Sequence, residues 1–380
     1  MMRVSVSVCF LLLTCTFGRA DEDFRFPEAV HRSGELKYRE GLPVLTVSGG
    51  PEEIGQQIGV LAIKPIADRF KGVVKKHAEA LSPKWPILVR ICEGLFKGYP
   101  EEYRTEIESM AKAGGIEREL LVIANAIGDV QHLGGCSALV VEPNRSSTGG
   151  PLFGRNWDRS PLADLDKYGL IIVRHMKGKR AYASVSFPGM LMCGSEMNDA
   201  GLALGANDVT ETKDGSPAFN PLGMPLTVGG RRLMEGCATI ADAEKLVMGQ
   251  KATTTGSIIL CDRKNGAVFE VTAKHILIRR AEEGLCACTN HFRIKELAVH
   301  RDCPRYDTLE KYRTRKKLGL DDVIEAMRAV HQGKMTLQMV VFEPAALRLH
   351  VALGPTAQAK GPLKTLELRP LFKVLEERKE

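Results

Sequence analysis

The chain predicts an α+β protein built in layers, its sheets covered by helices. Three changes of texture along its 380 residues carry that prediction. From Pro51 to about Gly128, apolar residues recur at helical spacing, with Ile54, Ile58, Leu61, Ile66 and Phe70 at three- to five-residue steps. From Cys136 to about Gly205 the pattern shifts to short β-branched and apolar runs separated by turn residues. Beyond that, helical and strand patterns alternate. A composition of 44% hydrophobic and 26% charged residues excludes a fibrous or disordered chain. The net charge of +7 comes without a basic run interleaved with aromatics, which total only 6%, so nothing speaks for nucleic-acid binding.

The first twenty residues read as a secretory signal: Arg3, then an apolar stretch from Val4 to Thr16, then small residues at Gly18-Arg19-Ala20, with the cut placed after Ala20. That stretch is too short to favour a membrane span, and no later segment approaches the roughly 20 apolar residues that spanning needs. The expectation is an exported protein, periplasmic or extracellular, or lysosomal or secretory in a eukaryote. Lipid anchoring at Cys15 is disfavoured by Thr14 before it. Pro65 has no N–H to donate and is expected to kink or divide the first helical run. A second run, 101–112, opens with acidic residues that suit the positive helix end and is stopped by Gly114-Gly115. Strands are expected at 138–141, 152–156 and 170–175, together an antiparallel meander. Residues 231–248 return to helix, 256–261 and 268–272 flank an Asn265-Gly266 hairpin turn, and a helix at 321–331 precedes strands at 338–342 and 347–352.

The sharpest local feature lies where helical texture gives way to β texture, at Gly134-Gly135-Cys136-Ser137. A thiol at that point can attack the Gly135 carbonyl. An N-to-S acyl shift and hydrolysis then leave Cys136 as a new N-terminus, whose α-amine titrates at about 7.7–8.0, near where a general base should lie at neutral pH. One residue then holds both nucleophile and base. The alternative is a buried strand cysteine after a glycine turn. The next strand ends in Gly154-Arg155-Asn156-Trp157-Asp158, which brings a guanidinium and a carboxylate toward Cys136. The arginine would favour a thiolate and the carboxylate would orient an ammonium, unless the two form only a structural ion pair.

Cys136 behind a glycine, followed by Gly-Arg-Asn-Trp-Asp, resembles the cysteine N-terminal nucleophile (Ntn) hydrolases. These include the acyl-coenzyme A:6-aminopenicillanic acid acyltransferase (isopenicillin N acyltransferase) family and the related choloylglycine hydrolases and penicillin V acylases. The likeness extends through Pro51-Glu52-Glu53-Ile54-Gly55-Gln56-Gln57-Ile58-Gly59, the Glu106 to Gly115 helix end, Asn198-Asp199-Ala200-Gly201-Leu202, Gly205-Ala206-Asn207, Thr289-Asn290-His291-Phe292 and Pro304-Arg305-Tyr306. It implies a four-layer αββα sandwich of two antiparallel sheets, with a signal at 1–20, a mostly helical prosegment at 21–135 and a catalytic domain at 136–380. Self-cleavage would fall between Gly135 and Cys136. Asn290 resembles the oxyanion-hole asparagine, Asn207 matches a position near the nucleophile's amine and oxyanion site, and Arg305 resembles the late arginine that holds the active-site carboxylate. Relatives often carry a serine shortly before that arginine. Here Asp302-Cys303-Pro304 stands instead, which puts a hydroxyl-assisted role in doubt.

The implied activity is cleavage of an N-acyl amide through a thioester, with acyl transfer from a thioester to an amine as the alternative and a non-catalytic binding domain as a second. No metal or organic cofactor is implied. The partner is a small-molecule N-acyl amide or acyl thioester, and processed chains of this family often assemble further. Other constellations fit less well. Cys286-x-Cys288-x-x-His291 with Cys303 lacks common zinc spacing, and strand alternation separates His291 from Cys286, Cys288 and Asn290. Cys193-Gly194-Ser195-Glu196-Met197 fails the last glycine of a serine-hydrolase elbow. His132 would leave with the prosegment. Asn144-Arg145-Ser146 is a glycosylation sequon if the host is eukaryotic. Eight cysteines follow the signal; export permits disulfides, and their pairing stays open.

Overall fold

The computed structural model describes residues 24–72, 84–130, 134–159 and 165–373. The expected signal and His132 lie outside the described residues. Among the described residues, sixteen strands form a sheet of ten and a sheet of six. The smaller runs Leu285–Cys288, Gly134–Val141, Leu152–Arg159, Thr336–Glu343, Arg348–Leu353, Lys364–Glu367, every pairing antiparallel. The larger runs Ala29–His31, Gly34–Arg39, Leu42–Ser48, Leu170–His175, Tyr182–Ser186, Ser195–Asn198, Ala203–Asp208, Gly256–Cys261, Gly266–Val271, Ile276–Arg280. One of its pairings, Leu42–Ser48 with Leu170–His175, is parallel.

Strand alternation builds the layers. Ala138 and Val140 face the second sheet with Phe153, Ile171, Val173, Val340 and Phe342, and this core between the sheets is dry and close-packed. Leu139 and Val141 face the other way, onto Val323, Ala326 and Met327 of the Leu320–Ala329 helix. The larger sheet is covered on its outer face by the helices Leu226–Gly236 and Ile240–Val247, and nearer its first strands by the helices between Pro51 and Val130. The result is the expected αββα order.

Several elements differ from the sequence reading. The 138–175 strands are not one meander: the first two pair in the small sheet, and the chain then crosses to the large one at Leu170–His175. Hydrophobic alternation tells which face of a strand is buried but not which sheet receives it. The helix expected at 231–248 is two. Cys237 breaks it, and Thr239 restarts it with a capping box in which Thr239 Oγ1 accepts the Asp242 N–H and Asp242 accepts the Thr239 N–H. Three strands precede Pro51, where the resemblance implied a mostly helical segment. Around Pro65 the helix keeps its course but loosens into π geometry over Gly59–Ile63 and tightens into 3₁₀ over Lys64–Ile66. Gly55 and Gly59, four apart on one face, let this helix lie against Glu101–Gly114: a Cβ at Gly59 would meet the Ala113 Cβ at 2.7 Å. Gly115 ends the Glu101–Gly114 helix in the left-handed conformation, at φ 67°.

Candidate active site

Cys136 lies near the start of the Gly134–Val141 strand, opposite Trp157. Its side chain shares a face with Ala138 and Val140, so the thiol lies at the mouth of the space between the sheets. On the neighbouring strand the same period gives that face Phe153, Arg155, Trp157 and Arg159. Arg155 accordingly meets the nucleophile, with Nη2 3.4 Å from Cys136 Sγ. The guanidinium is held by Ser195 Oγ at 2.6 Å from Nη1 and by the Ala206 carbonyl on Nη2. The thiol is pushed up to about 11: burial raises it most, the Arg155 charge pulls it down and the Asp158 and Asp208 carboxylates add to the rise. The expectation that the arginine would favour a thiolate is outweighed by desolvation.

Asp158 projects to the opposite face. It pairs with Gly135 in the backbone ladder, and its carboxylate accepts hydrogen bonds from Thr336 Oγ1 and, at 2.8 Å, from Gln332 Nε2. Burial raises its pKa against those two bonds and the fields of Arg305 and Arg155. Asn290 and Arg305 grip the backbone at the Gly135–Cys136 bond. Asn290 Oδ1 accepts the Cys136 N–H at 2.8 Å, and its Nδ2 donates to the Asp208 carbonyl at 2.8 Å and toward the Gly134 carbonyl at 3.5 Å. Arg305 Nη1 donates to the Cys136 carbonyl at 2.6 Å and to Ser137 Oγ at 2.9 Å, while Nη2 reaches Asn290 Oδ1 at 2.9 Å. Arg305 thus acts on Asp158 only through its field, while its hydrogen bonds go to the Cys136 carbonyl, Ser137 Oγ and Asn290 Oδ1.

Asn207 stands one step back. Its Nδ2 donates to the Thr289 carbonyl at 3.2 Å and reaches Cys288 Sγ at 3.6 Å, fixing the strand end that presents Asn290. Its Oδ1 is buried without a partner. Gln332, Thr336, Ser137 and Ser195 escaped the sequence reading. Alternation alone places Ser137 on the helix-covered face where Arg305 arrives, whereas Gln332 and Thr336 come from a distant loop and strand and leave no local signal. Cys286 and Cys288 face the inter-sheet core, and all eight described cysteines are free thiols. Cys303 pairs instead with His291. Burial opposes its thiolate, but hydrogen bonds from His291, the Tyr306 N–H and Thr289 outweigh it and bring the thiol down to about 6. Among the described residues no cluster of His, Cys, Asp or Glu is arranged to hold a metal, and no helix is long and apolar enough to cross a membrane.

A cavity of roughly 100 Å³ opens beside Cys136, walled by Trp157, Arg159, Met190, Met192 and, from the helix Arg118–Val130, Asn125 and Asp129. Two sheets packed face to face under helices, with a thiol at the head of a central strand, define an Ntn-hydrolase architecture. The chain belongs to the acyl-coenzyme A:6-aminopenicillanic acid acyltransferase family, whose model matches residues 145–358. That span begins just beyond Cys136 and includes Arg155, Asp158, Asn207, Asn290 and Arg305. An uncharacterized protein of Archaeoglobus fulgidus is 24% identical over 333 residues, 74% of this chain and 55% of the relative; the chain thus spans about half the length of that relative. Among solved structures, the Caenorhabditis elegans ortholog of N-acylethanolamine-hydrolyzing acid amidase is similar at 16% identity and a TM-score of 0.45, covering 61% of this chain and all of that one. A mutant conjugated bile acid hydrolase from Clostridium perfringens gives 12% and 0.45 over 62% and 93% of the two chains. Penicillin V acylase from Agrobacterium tumefaciens gives 13% and 0.42 over 61% and 92%.

Proposed function

We propose that the protein is an exported, self-processing cysteine amidohydrolase that cleaves the C–N bond of an N-acylated small molecule or short peptide. The observation that supports this reading best is the set of contacts on the scissile peptide: Arg155 on Sγ, Asn290 on the Cys136 N–H and Arg305 on the Cys136 carbonyl. In the maturation step, Sγ attacks the Gly135 carbonyl carbon, the bond to the Cys136 nitrogen breaks and that nitrogen takes the thiol proton. Water then hydrolyses the thioester, leaving a Gly135 carboxylate and a free α-amine on Cys136. In turnover the amine receives the thiol proton as Sγ adds to the substrate carbonyl, and passes it to the leaving nitrogen. Once the cut frees the Gly134 carbonyl that its Nδ2 reaches in the intact chain, Asn290 turns that donor to the tetrahedral oxyanion. Arg155 stabilises the thiolate once the amine takes up the proton. Water resolves the acyl-enzyme.

The family's name favours a second reading, transfer of the acyl group to an amine. Hydrolysis is the better fit for an exported protein, because acyl-coenzyme A is scarce outside the cytoplasm. The test is the intact mass of the wild type and of Cys136→Ala under reducing, denaturing conditions, followed by turnover of N-phenylacetyl amides with and without a competing amine. Wild type in two pieces divided at 135/136, an uncut variant and release of free acid support the reading. An uncut wild type with no turnover would leave a binding role, and amide formation as the main product would favour the transferase.

A further inference from the structure

Arg159 has no role in the chemistry above, yet it faces the same cavity as Cys136. The strand's period of two sends Arg155, Trp157 and Arg159 to one side, so the third of them reaches the pocket one step beyond the nucleophile. Its guanidinium lies over the Trp157 ring, 5.9 Å from the centroid, and its Nε is buried without a hydrogen-bond partner. It makes no ion pair with any described residue. Burial weakens its charge, and the field of Asp208 sustains it.

The two carboxylates of the pocket are occupied elsewhere. Asp208 accepts the Gly134 N–H at 3.2 Å, and Asp129 accepts the Leu226 N–H at 2.8 Å. Burial moves Asp129 up to about 7, which reduces its negative charge at neutral pH. The buried Nε has no partner and no described residue takes the Nη donors, and the group whose geometry matches such a fork is a carboxylate. We infer that Arg159 is the anion-recognition residue of this pocket and that the amide cleaved here carries a free carboxylate, as an N-acyl amino acid does. This specificity rests on the amidohydrolase reading, but the binding of a carboxylate beside Cys136 can be tested without it.

Alkylation of Cys136 by iodoacetate and by iodoacetamide compares two small reagents that differ in one carboxylate. In each case the thiolate sulfur forms the new C–S bond and iodide leaves. The rates are read by mass spectrometry of the Cys136 peptide and divided by those of a free thiol. The expected iodoacetate-to-iodoacetamide ratio in wild type exceeds that of the free thiol by tenfold or more. It should fall at least fivefold in Arg159→Met and in Arg159→Gln, and stay intermediate in Arg159→Lys. A ratio unchanged in the variants overturns the inference, because the preference would then belong to Arg155. If Arg159→Met does not fold, Arg159→Gln and the loss of the wild-type preference in high salt decide the same question. Turnover of N-phenylacetylglycine against its carboxamide, and of a glutaric acid monoanilide against its methyl ester, then shows whether the carboxylate belongs to the amine half or the acyl half. Absence of any turnover, with the alkylation preference intact, would sink the amidohydrolase reading and leave the carboxylate site standing.

Discussion

Desolvation outweighs the neighbouring arginine at Cys136, and this gives Arg155 a measurable role. In Arg155→Leu the only described cation touching the sulfur is gone while its burial remains, so the thiol should titrate still higher. Self-cleavage, followed by mass against time at pH 7 to 9, should slow tenfold or more; cleavage at the wild-type rate would show that Arg155 is structural. Asp129 offers a test of sign. Its carboxyl stands at about 7 in the fold against an ordinary 3.8, so the native state holds its proton more tightly than the unfolded chain does. Below about pH 4 both states are protonated and nothing is lost; between about 4 and 7 only the unfolded chain ionises, and stability falls by up to about 4 kcal/mol and stays lower above that. Asp129→Asn removes the penalty. In a Cys136→Ala background, its urea-denaturation advantage over Asp129 should grow from near zero at pH 4 to a few kcal/mol at pH 8. That Arg155, Asn290 and Arg305 gather on Cys136 was legible from the motifs and the family they resemble. Direction was legible too, though the expectation that both approach Cys136 passed over it: a strict pleat sends Arg155 and Asp158, three residues apart, to opposite faces.

At the scale of elements, the helix from Pro51 and the helix Glu101–Gly114 meet through glycine rather than through side chains. Gly55 approaches the Glu106 carbonyl and Gly59 the Met110 carbonyl so closely that a Cβ would lie 2.5 and 2.7 Å away. Gly59→Val should therefore force the helices apart and lower stability by about 1–3 kcal/mol, seen as a reduced urea midpoint, whereas Gly72→Ala, whose Cβ would meet nothing, should not. The Glu101–Gly114 helix is tied to the catalytic part by a buried bridge, Glu106 to Arg231 at 2.5 Å and Arg231 to Glu235 at 2.6 Å. The strand signal of residues 34–39 was present in the sequence, where Leu36 and Tyr38 alternate with Glu35, Lys37 and Arg39 and a turn at Glu40-Gly41 adopts positive φ. The restart after Cys237 had a local signal in the Thr239/Asp242 capping box, whereas the crossing between sheets was not legible, because it is decided by partners far away in the chain.

At the scale of the molecule, the cut proposed at 135/136 would not release the first piece. Leu42–Ser48 pairs along its length with Leu170–His175, and Leu36, Leu45 and Val47 share one apolar cluster with Leu170 and Ile172. Both pieces should co-elute in native gel filtration and separate only under denaturation; separation under native conditions would contradict the sheet order. The single parallel pairing carries a further consequence. A hairpin forms between neighbours in the chain, but this pairing joins segments that lie on either side of the cut. Before the cut, one molecule can rebuild its own sheet, and recovery from denaturation is first order. After it, the same sheet requires two molecules to meet, so recovery becomes second order and falls with dilution. Maturation would thus turn a reversible fold into one whose persistence depends on never coming apart.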